Sequence, residues 1–151
     1  MQKVIVSDTS CLILLDKINR LDLLRKLFGN VIVTQIVADE FGDNLPNFIS
    51  IEDPVNKKYQ SILETFLDKG EASSIALCIE KEKCLLIIDE LKGRREAEQL
   101  KIDITGTIGV LILAKQFGYI DSIRGDLQEL QKTNFRISDS IPEYAIKQAK
   151  E

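Results

Sequence analysis

Four acidic residues that are far apart along the chain stand at the ends of segments with clear secondary-structure patterns. Asp8 and Asp89 each follow directly on a short apolar run, whereas Glu40 and Glu71 lie near the ends of segments with helical spacing. Carboxylate oxygens are the ligands that Mg²⁺ and Mn²⁺ prefer, and such ions assist the hydrolysis of phosphate esters. The pattern predicts Asp8, Glu71 and Asp89 as metal ligands and all four acids as catalytic residues, with Glu40 orienting water.

Each of these acids also has a simpler interpretation. Asp8 and Asp89 could be helix N-caps, Glu71 a favourable charge in the first turn of a helix, and Glu40 a solvated helix position. Three neighbouring acids are expected to be surface residues: Asp39, Glu90 and Asp103. No single acid decides between the interpretations, because the chemistry requires that the fold bring these side chains together.

Hydroxyl groups close to the acids are candidate contacts for a phosphate. Thr9 and Ser10 follow Asp8 at once, so either hydroxyl could reach a ligand carboxylate or a phosphate oxygen. Thr107 stands between Gly106 and Gly109 at a predicted helix start, where the hydroxyl and backbone N–H groups can bind an anion. The alternative for all three residues is a turn or N-cap hydroxyl.

A short basic group follows Asp89 and is a candidate contact for a nucleic-acid backbone. It consists of Lys92, Arg94 and Arg95, and the arginine fork suits phosphate. The alternative is a solvated helix face that pairs with Glu96 and Glu98.

The composition excludes several kinds of catalytic site. The sequence has no histidine, so Ser-His-Asp catalysis, Cys-His catalysis and His-ligated zinc are all excluded. The formal net charge of −4 is unusual for a simple nucleic-acid binder, unless cations bound to the acids cancel part of it. The three cysteines show no Cys-x-x-Cys spacing and lie in apolar stretches, so we expect reduced core thiols.

The length and hydropathy are typical of a globular protein. A chain of 151 residues with 44% apolar residues predicts one domain, residues 1–151, with a substantial core. No apolar run approaches the roughly 20 residues of a membrane span, and no basic, cleavable segment precedes the first strand. We therefore expect a cytoplasmic protein with no membrane partner.

Alternating apolar and amphipathic segments predict strands and helices in turn. Strands are predicted at 3–7, 31–33, 84–88 and 102–105, with an edge strand at 135–137. Helices are predicted at 12–18, 21–28, 36–41 after a Thr34 cap, 57–67, 71–79, 91–100, 108–117 and 120–131, with a last helix capped by Ser138 or Asp139. Residues 42–54 are expected to form a mobile loop, and Asp68-Lys69-Gly70 a break.

This order predicts an α/β fold of three layers, α/β/α, with a central, mostly parallel sheet of four to five strands. The carboxyl ends of parallel strands meet at one edge of the sheet, where open α/β proteins place their sites. Asp8 and Asp89 are therefore expected to share that edge.

Five stretches in this order resemble PIN-domain proteins, a nuclease fold that includes many prokaryotic toxins. They are Val4-Ile5-Val6-Ser7-Asp8-Thr9-Ser10 with Leu12-Ile13, Val31-Ile32-Val33-Thr34 through Val37 to Glu40, Gly70-Glu71-Ala72-Ser73-Ser74-Ile75-Ala76-Leu77, Leu85-Leu86-Ile87-Ile88-Asp89 with Arg94, Arg95 and Ala97, and Ile104-Thr105-Gly106-Thr107-Ile108-Gly109-Val110-Leu111. The last three resemble an uncharacterised PIN-like branch more closely than the typical toxins.

The resemblance implies a ribonuclease that cleaves single-stranded RNA with Mg²⁺ or Mn²⁺. Asp8, Glu40, Glu71 and Asp89 fall on the acidic motif positions of the family. The family usually has Asp at the position of Glu71, and Thr or Ser at the position of Ile87. Its members often form homodimers, and those that are toxins are bound by a small antitoxin protein.

Two other functions stay open at the level of the sequence. A PIN-like scaffold could bind RNA or a partner protein, with its acids serving only the structure. Alternatively, Asp8 could be the nucleophile of phosphoryl transfer. Haloacid-dehalogenase-like phosphatases carry a second Asp two positions later, where this chain has Ser10, so the second alternative is the weaker.

Overall fold

The computed structural model of the chain describes residues 3–133 and 140–151. In chain order the elements are β1 (Val4–Ser7), α1 (Thr9–Lys17), α2 (Asp22–Phe28), β2 (Val31–Val33), α3 (Gln35–Phe41), β3 (Ile49–Ile51), α4 (Lys57–Leu63), α5 (Lys69–Ile79), β4 (Cys84–Ile87), α6 (Leu91–Gln99), β5 (Asp103–Thr105), α7 (Thr107–Gln116), α8 (Arg124–Gln131) and α9 (Ser140–Gln148). The predicted strand 135–137 and the predicted caps Ser138 and Asp139 lie outside the described residues.

The described strands form one five-stranded sheet, and all of its pairings are parallel. Successive side chains of a strand point to opposite faces, so each strand contributes to two cores. Ile5 and Ile87 pack with α1, α2 and α7 on one face, whereas Val6 and Leu86 pack with α4 and α5 on the other. The predicted α/β fold, with three layers and a parallel sheet, is confirmed.

The strand order β3-β2-β1-β4-β5 reverses direction between β1 and β4. The chain runs outward from β1 through β2 to β3, then returns to place β4 on the other side of β1. Such a reversal leaves a crevice at the carboxyl ends of the two central strands. Ser7 pairs with Ile87, and the Asp8 amide donates to the Ile87 carbonyl at 2.9 Å. Asp8 and Asp89 therefore follow adjacent strands on one rim, as expected.

The segment 42–54, predicted to be a loop, contains a strand. Ile49–Ile51 forms β3 and pairs with Val31–Val33 at the edge of the sheet. A segment of three residues is too short for its hydrophobic periodicity to predict a strand. Strand β3 forms because the edge of β2 is available for pairing. Strand β2 itself has the bounds that were predicted, and Thr34 caps α3 by accepting from the Val37 amide at 3.3 Å.

Four helix boundaries differ from the predictions by two or more residues. Helix α1 begins at Thr9 instead of Leu12. Helix α5 begins at Lys69, so Asp68-Lys69-Gly70 is a helix start rather than a break. Helix α4 ends at Leu63 instead of Leu67, because a turn follows. Helix α8 begins at Arg124 instead of Ile120, because the chain makes a bend there.

The cysteines are not all reduced core thiols, and that expectation is wrong for two of them. Cys78 and Cys84 are joined in a disulfide. They lie at the end of α5 and the start of β4, and the short turn between these elements brings their Cα atoms to 5.6 Å, a usual separation for a disulfide. Cys11 is free and fully buried, as expected.

The helices are short. Among the described ones α5 is the longest, with 11 residues. Over residues 3–133 and 140–151, no helix combines the length and the apolar character that crossing a bilayer requires.

Candidate active site

Asp8 lies at the carboxyl end of β1 and immediately before α1. It occupies the N-cap position of that helix but makes no side-chain cap hydrogen bond, so capping does not explain it. The residue is only 4% exposed. The pKa of Asp8 is raised from 3.8 to about 8, chiefly by burial. A hydrogen bond from the Thr9 amide lowers the pKa, and the charges of Glu71, Asp68 and Glu40 raise it.

Glu71 lies in the first turn of α5 and is also 4% exposed. It forms a capping box with Asp68: the Glu71 amide donates to Asp68 Oδ1 at 2.8 Å, and the Asp68 amide donates to Glu71 Oε1 at 3.3 Å. Burial raises the pKa of Glu71 to about 7, with the charge of Asp68 as the next cause. The first-turn interpretation of Glu71 is thus correct, yet the same carboxylate is one of those that act on Asp8.

Glu40 reaches this group from the last turn of α3. Its side chain is exposed, but Thr9 Oγ1 donates to Glu40 Oε1 at 2.6 Å. The Thr9 hydroxyl therefore contacts a carboxylate, which was one of the two contacts predicted for it. The hydrogen bond joins the start of α1 to the end of α3, residues that are 31 positions apart.

These residues line one cavity of about 340 Å³ at the rim. Its lining consists of Asp8, Thr9, Ser10, Ile13, Glu40, Asp68, Glu71 and Glu90. Sequence reasoning missed Asp68 and assigned Glu90 to the surface. Both are helix N-caps, Asp68 for α5 and Glu90 for α6, where it accepts from the Gly93 amide at 3.2 Å. The Asp-x-x-Glu spacing of a capping box could have drawn attention to Asp68.

Asp89 lies on the same rim but is not part of this lining. The Thr107 amide donates to Asp89 Oδ1 at 2.9 Å, and the Thr107 hydroxyl donates to Asp89 Oδ2 at 2.6 Å. The Cys11 thiol also donates to Asp89 Oδ2, at 3.2 Å. Asp89 therefore binds the N-terminus of α7. Thr107 is fully buried, and its hydroxyl is hydrogen bonded to the Asp89 carboxylate.

The basic residues of α6 are not equivalent. Arg94 is partly buried, and its Nη1 donates to the Ile88 carbonyl at 2.7 Å, just after β4. Lys92 and Arg95 are exposed. Only Lys92 and Arg95 thus present their charges to solvent, whereas Arg94 holds the backbone between β4 and Asp89.

The donor chemistry of the cavity fits a hard divalent cation. Asp8 is buried without a cap hydrogen bond, and its nearest charged neighbours are carboxylates, so a cation would relieve their repulsion. In the part of the chain that the structure describes, no three acidic or cysteine side chains are grouped so that they could hold an ion together. Mg²⁺ is commonly held by one or two carboxylates and several waters. A pair of carboxylates is therefore the arrangement that fits.

The fold is an α/β fold with a parallel sheet, and carboxylates lie at the point where its strand order reverses. The chain matches the family model DUF3368, described as a PIN domain, over residues 4–151. It therefore belongs to the PIN-domain family, whose members are generally nucleases that act on nucleic acid. A comparison with curated proteins finds no significant match. A comparison with solved structures finds none either.

Proposed function

We propose that this protein is a metal-dependent ribonuclease that hydrolyses phosphodiester bonds of single-stranded RNA in the cytoplasm. The observation that carries the proposal is the Asp8 carboxyl, which is buried at the cavity without a cap hydrogen bond. Its pKa is raised mainly by this burial and in smaller part by the charges of three other carboxyl groups. Buried acids with strongly shifted pKa values in a cleft are common at functional sites, where a cation or a proton transfer uses them. Membership of a nuclease family supports the same conclusion.

In this proposal Asp8 and Glu71 hold Mg²⁺ or Mn²⁺, and Asp89 supports the site from the neighbouring strand. When bound, the ion would stabilise negative charge on the phosphate and lower the pKa of a bound water. Glu40 orients the attacking water, and the Thr9 hydroxyl fixes the carboxylate of Glu40 in place. Asp8, Glu40, Glu71 and Asp89 are therefore the proposed catalytic residues.

The proposed contacts with RNA are Ser10 at the cavity and the exposed Lys92 and Arg95 on α6. Thr9, Thr107 and Arg94, which the sequence suggested as substrate contacts, donate hydrogen bonds to Glu40, Asp89 and the Ile88 carbonyl. Thr9 and Thr107 thus use their single hydroxyl protons inside the protein, whereas Arg94 has further N–H donors that a phosphate could accept from. We retain as part of the proposal the homodimer and the role of a toxin bound by a small antitoxin protein.

The deciding experiment measures cleavage of single-stranded RNA with Mn²⁺ for wild type, D8N and D89N. D103N is the matched control, since Asp103 is an exposed aspartate on β5 that pairs with Lys3 at 2.7 Å. We expect cleavage by wild type and D103N and its loss in D8N. Calorimetric titration should show Mn²⁺ binding to wild type and D103N but not to D8N.

Two results would contradict the proposal. Equal loss of RNA in all four proteins would mean a contaminating nuclease. Failure of wild type to bind Mn²⁺ at millimolar concentration would favour a scaffold whose acids serve only the structure.

A further inference from the structure

Gly70 is a glycine that the backbone conformation does not require. It lies inside the first turn of α5 and is buried, and its φ is not in the left-handed region. Glycine is disfavoured in a helix relative to alanine, because it loses more conformational freedom on folding. A reason for Gly70 must therefore come from what lies next to it.

The space that a side chain would take at this position is occupied by the Glu40 carboxylate. A Cβ atom built on Gly70 would come closer to Glu40 Oε1 than real Cβ atoms ever come to another heavy atom. It would also lie 3.2 Å from Thr9 Oγ1, the group that donates to the same carboxylate oxygen. The two groups of the Thr9–Glu40 hydrogen bond thus pack directly against the backbone of Gly70.

The backbone of Gly70 is held in place within α5, and α5 is in turn hydrogen bonded to the start of α3. The hydroxyls of Ser73 and Ser74 donate to the Gly70 carbonyl at 2.9 and 2.8 Å. The Ser73 hydroxyl is also hydrogen bonded to the hydroxyl of Thr34, the N-cap of α3, at 2.7 Å. All three hydroxyl groups belong to buried residues, and they link the helix that carries Glu40 to the helix that carries Gly70.

We propose that Gly70 is a positioning residue: its missing side chain makes the room in which the Glu40 carboxylate and the Thr9 hydroxyl meet beside Asp8. The inference rests on the proposed nuclease function and adds a residue to it. A methyl group at position 70 would displace the carboxylate of Glu40 rather than the backbone, because the carboxylate ends a flexible, exposed side chain. Function and stability should therefore separate in the variant Gly70→Ala.

The test compares G70A with wild type and with G125A. Gly125 is the matched control, because it also lies in the first turn of a helix, α8, and a Cβ there would meet nothing within 4 Å. We expect G70A to unfold at a temperature no lower than wild type. In its metal-free crystal structure, Glu40 Oε1 should lie beyond hydrogen-bond distance of Thr9 Oγ1.

The kinetic arm measures kcat and KM on single-stranded RNA. We expect G70A to lose about 100-fold in kcat, the scale of effect that a small misplacement of a catalytic group produces. KM should stay unchanged, and G125A should match wild type. In an E40Q background, the change at position 70 should have no further effect on kcat, since neighbouring residues that act through one group are not additive.

Several results would overturn the inference. These are a Thr9–Glu40 hydrogen bond that survives in G70A, an unchanged kcat, or an equal loss of kcat with and without Glu40. If wild type itself neither binds Mn²⁺ nor cleaves RNA, the proposed function fails. The crystal structure of G70A then decides by itself whether Gly70 places the Glu40 carboxylate.

Discussion

At the scale of single residues, Asp8 couples the stability of the metal-free protein to pH. Its pKa rises from 3.8 to about 8 on folding, so between these values the folded state binds more protons than the unfolded chain. The free energy of unfolding must therefore fall as pH rises through this interval. In D8N the free energy of unfolding should depend less steeply on pH, by up to about 1.4 kcal/mol per pH unit. We also expect D8N to be more stable than wild type at pH 8.

Urea unfolding in EDTA at several pH values between 5 and 8 measures this difference. Mn²⁺ should raise the stability of wild type at pH 8, because the ion binds the carboxylate that the folded protein otherwise prefers to protonate. D8N should not respond to the ion. Parallel pH profiles for wild type and D8N would show that Asp8 does not titrate as its burial indicates.

Thr107 holds Asp89 with two donors, its amide and its hydroxyl. Its buried hydroxyl donates to Asp89 Oδ2 at 2.6 Å, a hydrogen bond to a charged acceptor. Replacement by valine keeps the shape and removes the donor, so we expect T107V to lose about 1–3 kcal/mol of stability. T107S retains the donor and should cleave RNA close to the wild-type rate, whereas T107V should be slower. Equal rates for T107S and T107V would mean that Asp89 needs no help from this hydroxyl.

At the scale of elements, the first turn of α5 holds two acids in one capping box. Asp68 Oδ1 accepts from the Glu71 amide at 2.8 Å. The variant D68A loses this cap, so its free energy of unfolding should be lower than that of wild type by about 1 kcal/mol. D68N can still accept that hydrogen bond and should keep most of the stability. It also removes a negative charge that raises the pKa of Glu71, so this pKa should fall below about 7 in D68N.

Urea unfolding and an NMR titration of the labelled Glu71 carboxyl measure the two effects of Asp68 separately. A pKa of Glu71 that is the same in wild type and D68N would leave burial and the charge of Glu90 as the causes of the rise. A D68A variant as stable as wild type would show that other donors and water cap α5 equally well.

At the scale of the whole molecule, the proposed function requires that an acidic protein attract RNA through a local basic surface. The chain carries a net charge of −4, yet Lys92 and Arg95 are exposed on the helix that follows Asp89. We expect K92A/R95A to bind single-stranded RNA more weakly at low salt and to show a shallower dependence of affinity on salt, by about two phosphate contacts. Mn²⁺ affinity should not change. An unchanged salt dependence would place the RNA on another surface.

Local signals predicted most of the fold. Strand β2 and the Thr34 cap were predicted correctly because apolar runs and capping chemistry depend on neighbouring residues. Strand β3 was missed because three residues form it only when β2 offers an edge. The start of α5 was predicted two residues too late, because glycine disfavours helix in an isolated segment. Gly70 lies in the helix nevertheless, and the Glu40 carboxylate occupies the position that a side chain would take.

The sequence by itself determined which acids stand at strand and helix ends, and the absence of histidine excluded imidazole as a catalytic base or metal ligand. Only the tertiary structure decided which of these acids share a cavity. Asp8, Glu40 and Glu71 do, whereas Asp89 is held by Thr107 and Cys11, which are 18 and 78 positions away. Hydrogen-bond donors from distant elements compete for a carboxylate, and the packing of those elements decides the outcome.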